Sequence, residues 1–447
     1  MKVISSKDSK NEYDFVFVCE SKVRELESCC LIGQELENRG YTVGVLNWWL
    51  PNIDVEYKPV KTKVLMAHAV YKDESLNREL SFIDGETKVI NLQWEQIYSI
   101  KDLTNPNAPW KMEGDAKRVI HLSWGNENFN KLTTYDGISA DRIRIVGQVS
   151  MDFLSPKLRN YYMSRETLLA KYNIPLDKKI CLFISSFSFT NLPENVQDPE
   201  LVELSNVSFN SQRKILEWIQ NALDINNDIF FIYRPHPAEA NNTQIKDIEK
   251  KYKNFRCISD LSVKQWIIAS DIIYNWYSTS IADVYFANRS CHILRPIDIP
   301  HELECKIFEN GKFIRTEEDF LKSMHSPESS FPIPLENISF AYSNDQYLSY
   351  LRIADECEKV IKEDTVYFKS NIKKKRSTIL LSQFKRTYIG KLLLGFKHYF
   401  ENIKKPSEND LRNKSYAAYT EEMFKNNNFR QEDVDDIIHH IQSVLYQ

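Results

Sequence analysis

The feature that most constrains this chain is the regular return of short apolar, β-branched and aromatic runs, each followed by an amphipathic stretch. Tyr13-Asp-Phe-Val-Phe-Val-Cys19 reads as a buried parallel strand. Residues 24–39 follow with helical spacing of Leu26, Cys29, Cys30 and Leu36, and Gly40 stands as a C-terminal stop. Tyr41-Thr-Val-Gly-Val-Leu46 then closes a βαβ unit of the usual length. Further strands are predicted at 63–67, 88–92, 118–122 and 142–146. A second series follows a helix over 164–171, with strands at 179–184, 228–233, 255–258, 271–274 and 291–294 and helices over 211–223 and 263–270. Strand and helix alternating in this way imply a parallel sheet, and two such series imply two sheets. The 447 residues also exceed what one core holds. The expected architecture is α/β, with two Rossmann-like domains facing a cleft. The boundary is expected near 155–175, where Ser155-Pro156 and a polar stretch break the pattern, giving domains over 1–160 and 161–335, with a helical, partly basic and amphipathic extension over 336–447.

Composition narrows the setting. A formal net charge of −4 argues against whole-protein attraction to nucleic acid. The start of the chain, MKVISSKDSKNEYDF, has no secretory apolar run, and no stretch approaches the roughly 20 apolar residues of a membrane span. Eight cysteines without a CxxC pair read as buried thiols in a reducing compartment, so a cytoplasmic location is expected. From Lys369 to Lys405, eleven lysines and arginines face one acid, Glu401, and are interleaved with Ile, Leu, Phe and Tyr. That pattern suits either an anionic membrane surface, making the protein peripheral on the inner face of the plasma membrane, or a helix packed on the catalytic lobes.

Chemistry-bearing residues fall at predicted strand ends, where open α/β sheets bind ligands. Arg234-Pro-His-Pro-Ala-Glu239 follows the strand at 228–233. Arg234 offers a fork of donors for phosphate, prolines restrain His236, and Glu239 can accept from a ribose hydroxyl or orient the histidine. Ser278-Thr-Ser280, with Asp283, opens a helix after the strand at 271–274 and offers hydroxyls and backbone N–H groups to an anion; plain capping is the alternative. In the first domain Glu20 and Glu95 are candidate general bases. Arg24, Glu25 and Trp94 are expected on the acceptor side, with Trp94 able to desolvate a neighbouring carboxylate. No metal ligands are expected: Asp433-Val-Asp435 lies in a charged terminal helix with no strand before it. His68 reads as a core histidine, His439 and His440 as surface ones. No Walker loop and no GxGxxG occur.

These residues resemble the bacterial surface carbohydrate (capsule and O-antigen) biosynthesis proteins, related to capsule Kdo transferases, CDP-glycerol glycerophosphotransferases and bacterial sialyltransferases. The resemblance runs over about 13–330, through Glu20-Ser-Lys-Val-Arg-Glu25, Val89-Ile-Asn-Leu-Gln-Trp-Glu95, Ser123-Trp-Gly125, Val146-Gly-Gln-Val-Ser-Met-Asp152, the Arg-Pro-His-Pro loop, and Ser278-Thr-Ser280 with Asp283. It implies a GT-B fold and a metal-independent glycosyltransferase with no cofactor. The donor it implies is a CMP-activated 3-deoxy-ulosonic acid of the Kdo or nonulosonic type, and the acceptor a surface polysaccharide or lipid-linked glycan. His236 and Ser278–Ser280 would then attend the nucleotide phosphate. Gln93 and Trp94 stand where the family has consecutive acids, and Gln148 and Ser150 where Asn and Arg are commoner. Two other readings are a CDP-linked polyol-phosphate transferase, and a non-catalytic partner of a capsule assembly complex.

Overall fold

A computed structural model describes residues 1–5, 12–50, 57–105, 111–191, 198–236, 239, 242–325, 331–369 and 423–446. Two sheets form from the two series of apolar runs. The first contains β1 (Lys2–Val3), β2 (Glu12–Cys19), β3 (Val43–Asn47), β4 (Lys61–Ala67), β5 (Glu86–Asn91), β6 (Ile120–Ser123) and β7 (Ile143–Ile145). The second contains β8 (Lys179–Ile184), β9 (Ile229–Arg234), β10 (Phe255–Cys257), β11 (Ile272–Asn275), β12 (His292–Leu294) and β13 (Phe313–Ile314). Strand order is β1-β3-β2-β4-β5-β6-β7 in one and β10-β9-β8-β11-β12-β13 in the other, and every pair within these orders is parallel. Strands covered on both faces must be apolar throughout. Phe15 to Cys19 and Ile180 to Ile184 are accordingly buried without a break.

The order reverses between β2 and β4 in the first sheet and between β8 and β11 in the second. At such a switch point the flanking connections leave toward opposite faces and open a crevice beyond the strand ends. Each lobe therefore carries one crevice, and the candidate residues of the sequence cluster around both.

Local departures from expectation have identifiable causes. The segment predicted as one helix over 24–39 divides into a wide π-type turn, Lys22–Leu26, and helix α1, Glu27–Asn38. Glu25 is drawn into that turn because one of its carboxylate oxygens accepts the backbone N–H of Glu20 at 2.8 Å. Helix α2, Pro199–Ile225, is longer than the predicted 211–223: Asp198 caps it by accepting from Glu200 and Leu201, with Pro199 in the first turn. Helix α3, Val263–Ala269, and the short helix α4, Ile281–Phe286, match expectation closely.

The expected C-terminal helical region is present and packs on the first lobe. Helix α5, Ser349–Lys362, and helix α6, Gln431–Leu445, pack on the first lobe, burying Ile353, Ala354, Cys357, Val360, Val434 and Ile441 in the same core as Phe15 and Leu31. β14, Phe368–Lys369, joins β5 antiparallel. The chain thus leaves the second lobe and returns to finish the first. Gly125 marks the crossing: an added Cβ there would lie 2.5 Å from the Ala341 carbonyl oxygen. Trp124 stacks on Tyr342 at 5.7 Å and its carbonyl accepts the Ser343 N–H at 2.7 Å. Of the basic segment, residues 370–405 lie outside the described residues. Among the described residues no helix is long and apolar enough to cross a membrane.

Candidate functional site

At the first-lobe switch point Glu20 follows β2 and His68 follows β4. His68 Nε2 lies 3.1 Å from Glu20 Oε2, and its Nδ1 lies 3.8 Å from Glu25 Oε1. Burial alone would lower the histidine pKa, but the hydrogen bond to Glu20 and the charges of Glu25, Glu20 and Glu79 lift it to about 9. His68 thus sits among carboxylates, which corrects its reading as a core histidine. Burial works against ionisation of Glu20 too, yet the His68 hydrogen bond and charge bring its pKa below the usual range. In Glu25, 0% exposed, burial wins and the pKa rises.

Arg24 leaves the π-type turn toward the cleft and pairs with Glu95, Nη1 to Oε1, at 2.6 Å. Glu95 lies on the loop after β5. Gln96, buried, pins that loop by donating to the Gln93 and Leu122 carbonyls at 2.9 and 2.8 Å and accepting the Trp124 N–H at 2.7 Å. Gln93 holds a left-handed conformation, φ 45°, and donates to the Tyr98 hydroxyl at 3.1 Å. Gln93 therefore builds the turn. Trp94 packs against the first-lobe core, while the Glu95 side chain stays 59% exposed, so the expected shielding of Glu95 by Trp94 is not found.

The same loop joins the lobes. Ile100 N–H donates to the Glu304 carbonyl at 2.9 Å and Lys306 N–H to the Tyr98 carbonyl at 3.0 Å, with Ser99 bridged antiparallel to Cys305. Of the second-lobe residues, His236 lies within electrostatic reach of Arg24 and Glu95. Burial lowers the His236 pKa, the Arg24 cation lowers it further, and the Glu95 carboxylate opposes. These three side chains, from two lobes, share one electrostatic environment.

Arg234 is placed differently from expectation. Its guanidinium donates to three backbone carbonyls of the loop after β10: Ile258 at 3.1 Å, Asp260 at 2.5 Å, and Leu261. Leu261 sits at φ 64°, a left-handed conformation costly for a branched side chain, and Arg234 holds it there. The fork is spent on protein. Glu239 is likewise a hub: it accepts from Tyr233 at 2.6 Å, Gln212 at 2.8 Å, the His236 N–H at 3.2 Å, and Ser185. It ties the ends of β8 and β9 to α2 and orients the His236 backbone, one of its two expected roles.

Beyond β11, Asn275 closes a tight turn, accepting the Ser278 N–H at 3.0 Å and donating to its carbonyl at 2.9 Å. Ser278 Oγ accepts the Ser280 N–H at 3.3 Å, so this serine serves the turn. Ser280 occupies the cap position of α4 with no side-chain capping bond, and Thr279 is exposed. Asp283 is buried and paired with Lys264 at 2.9 Å, which makes it a strut between α3 and α4 in place of the expected donor ligand. Asp433 pairs with Lys22 at 2.8 Å and accepts the Arg430 N–H, a structural end for the Asp-X-Asp sequence.

Two features escaped the sequence reading. Ser185, at the end of β8, lies at the second-lobe switch point and bonds Glu239. Arg295, at the end of β12, is 1% exposed, bonded to Glu304 at 3.2 and 3.3 Å and surrounded by the rings of Trp276, Tyr277, Phe308 and Phe313. A strand-end arginine in Leu294-Arg-Pro296 was the available signal.

No family model matches this chain and no curated protein matches it. Solved structures do. A putative UDP-N-acetylglucosamine 2-epimerase from Listeria monocytogenes is 13% identical over 78% of this chain and 97% of its own, with a TM-score of 0.48. The UDP-GlcNAc 2-epimerase from Methanocaldococcus jannaschii is 13% identical over 78% and 100%, also at 0.48. A variant of the wall teichoic acid polymerase TagF is 15% identical over 80% and 91%, with a TM-score of 0.50. The chain has the GT-B fold. Identity this low carries the architecture alone.

Proposed function

We propose that this protein is a nucleotide-sugar-dependent transferase, with the nucleotide in the β8/β11 crevice of the second lobe and the acceptor at the first. The observation that carries the reading is the Arg24–Glu95 pair of one lobe lying within electrostatic reach of His236 of the other. Arg24 holds Glu95 in place, and Glu95 removes the proton from an acceptor hydroxyl. The hydroxyl oxygen then bonds to the donor's reactive carbon while the bond from that carbon to the nucleotide phosphate breaks. Negative charge gathers on the departing phosphate, and His236 with the hydroxyls of Thr279 and Ser280 meets it there. Arg234 and Glu239 act as positioning residues for His236 and its loop.

A CMP-linked 3-deoxy-ulosonic acid is the donor the sequence resemblance supports. A second reading, transfer of a CDP-linked polyol phosphate, is favoured by the fold shared with a wall teichoic acid polymerase. Calorimetric titration of CMP, CDP, UDP, GDP and their conjugates separates the two. CMP-sugar selectivity supports the first and CDP-polyol selectivity the second. No affinity for any nucleotide would sink the transferase reading and favour a non-catalytic partner. The acceptor, a surface polysaccharide or lipid-linked glycan, and attachment to the inner leaflet through 369–405 belong to the same proposal, the latter on sequence alone. So does independence from metal at the leaving phosphate.

A further inference from the structure

Beneath Arg24, at the end of β2 and β4, lies a cluster that the transfer chemistry above does not use. Glu20, Glu25 and His68 each offer one ligand atom, and these atoms lie within 4.8 Å of one another. The arrangement is held by its surroundings. Glu25 Oε2 is fixed by the Glu20 backbone N–H at 2.8 Å, which leaves Oε1 turned toward His68 with no hydrogen-bond partner. His68 Nδ1, 3.8 Å from that oxygen, has no hydrogen-bond partner either. Glu79, 0% exposed, adds a third carboxylate, which the Ala69 backbone helps to hold. It stands near enough for its charge to act on the His68 ring. Arg24 pairs with Glu95, and its charge reaches Glu20 and Glu25 as well.

Three carboxylates surround one imidazole in a place where water does not reach Glu25 or Glu79. Unpaired buried charge is costly, and either protons or a cation must offset it. Two facts favour a cation. Two unsatisfied ligand atoms, one nitrogen and one oxygen, face each other across a gap too long for a hydrogen bond. Moreover, the carboxylate of Glu25 is tethered through one oxygen and presented through the other, as hydrogen-bonded metal ligands are. Ligands at about 2.1 Å from a shared ion lie at most about 4.2 Å apart, so an adjustment of under about 1 Å completes the set. We infer that Glu20, Glu25 and His68 form a binding site for one divalent transition-metal ion at the first-lobe switch point, with Glu79 as an outer carboxylate. One imidazole with carboxylates selects Zn²⁺ or Mn²⁺ over Mg²⁺, which prefers all-oxygen octahedra. The ion would brace the π-type turn that carries Arg24, on the lobe opposite the nucleotide crevice.

The test uses full-length protein stripped with a chelator, titrated with Zn²⁺, Mn²⁺ and Mg²⁺, and followed by elemental analysis and thermal unfolding. The expected result is uptake of one equivalent of Zn²⁺ or Mn²⁺ with a rise in Tm that Mg²⁺ does not reproduce. Glu25→Gln, which keeps the side-chain size and an oxygen for the Glu20 N–H, should lose the uptake, as should His68→Ala. Glu95→Gln should keep it. No uptake by the wild-type protein, or undiminished uptake by Glu25→Gln, overturns the assignment and leaves a cluster that shares protons. Should His68→Ala fail to fold, Glu25→Gln decides alone. Nucleotide binding measured in the same chelator reports on the second lobe, so failure of the metal site and failure of the transferase reading remain distinguishable.

Discussion

Replacing Arg234 with alanine separates two roles that the sequence leaves superposed. A donor ligand on a loop would be lost with little effect on folding, whereas the structure makes its guanidinium the clamp on three carbonyls of the loop over 258–261. Hydrogen bonds from a charged donor contribute about 1.5–3 kcal/mol each when buried. Here one is exposed and two are partly buried, and screening trims all three. Losing them should cost about 3 kcal/mol, with the left-handed Leu261 then unsupported. For a lobe of this size that corresponds to a fall in Tm of about 6–12 °C. Urea unfolding with a tryptophan signal from Trp266, whose indole N–H donates to the Asp260 carbonyl at 3.1 Å, reads the same loop directly. Lysine at 234 should rescue little, because a single ammonium cannot reproduce the planar fork. Unchanged stability in Arg234→Ala, together with lost nucleotide affinity, would refute the clamp and restore Arg234 as a phosphate ligand.

Other outcomes follow from the same geometry. His236→Ala should fold normally and lose about 10²-fold or more in turnover, and a normal rate would remove it from the leaving-group side. Glu95→Gln should abolish transfer while nucleotide affinity stays intact, and Glu20→Gln should do less; the reverse ranking moves the base to Glu20. His121 is fully buried beside Asn91, with a pKa pushed by burial down to about 4 from 6.5. An unfolded chain therefore takes up a proton there before the folded one does. Stability should fall as pH drops from about 6.5 toward 4, by about 3 kcal/mol from this group, and His121→Asn should flatten that limb in urea titrations. The basic stretch over 369–405 should bring the protein down with anionic but not zwitterionic vesicles at low salt, since each lysine or arginine adds about 1 kcal/mol at such a surface. Indifference to anionic vesicles would leave those residues as a solvated face.

The fold was legible because a parallel strand covered on both faces has few alternatives. Phe15 to Cys19 must be apolar throughout, and the sequence contains eleven such runs in two series, all of which became strands. What stayed hidden were pairs held by the backbone alone. Lys2–Val3, Phe313–Ile314 and Phe368–Lys369 are two-residue strands, too short to show any period, and their pairing depends on edges that exist only once the sheets are built. The return of 349–369 and 431–445 to the first lobe was hidden for a related reason. An amphipathic helix announces that it has a partner without saying which lobe supplies it.

Within the site, position was legible and commitment was not. Strand ends placed Glu20, Glu95, His236 and Ser278–Ser280 around the two crevices, because topology alone brings carboxyl ends of parallel strands to one edge. Whether a polar side chain there remains available depends on neighbours distant in sequence. Arg234 is engaged by carbonyls 24 to 27 residues away, Asp283 by Lys264, and Glu239 by Gln212 and Ser185. Each looks like a ligand in sequence and works as scaffold in space. The inversion extends to His68, which looked like core and lies instead among three carboxylates. A crevice must hold its recognising groups in place before a ligand arrives, and doing so consumes polar side chains. Residues that remain exposed after this internal pairing, such as Glu95 and Thr279, are therefore stronger candidates for contact with substrate than the buried, paired Asp283 and the clamped Arg234.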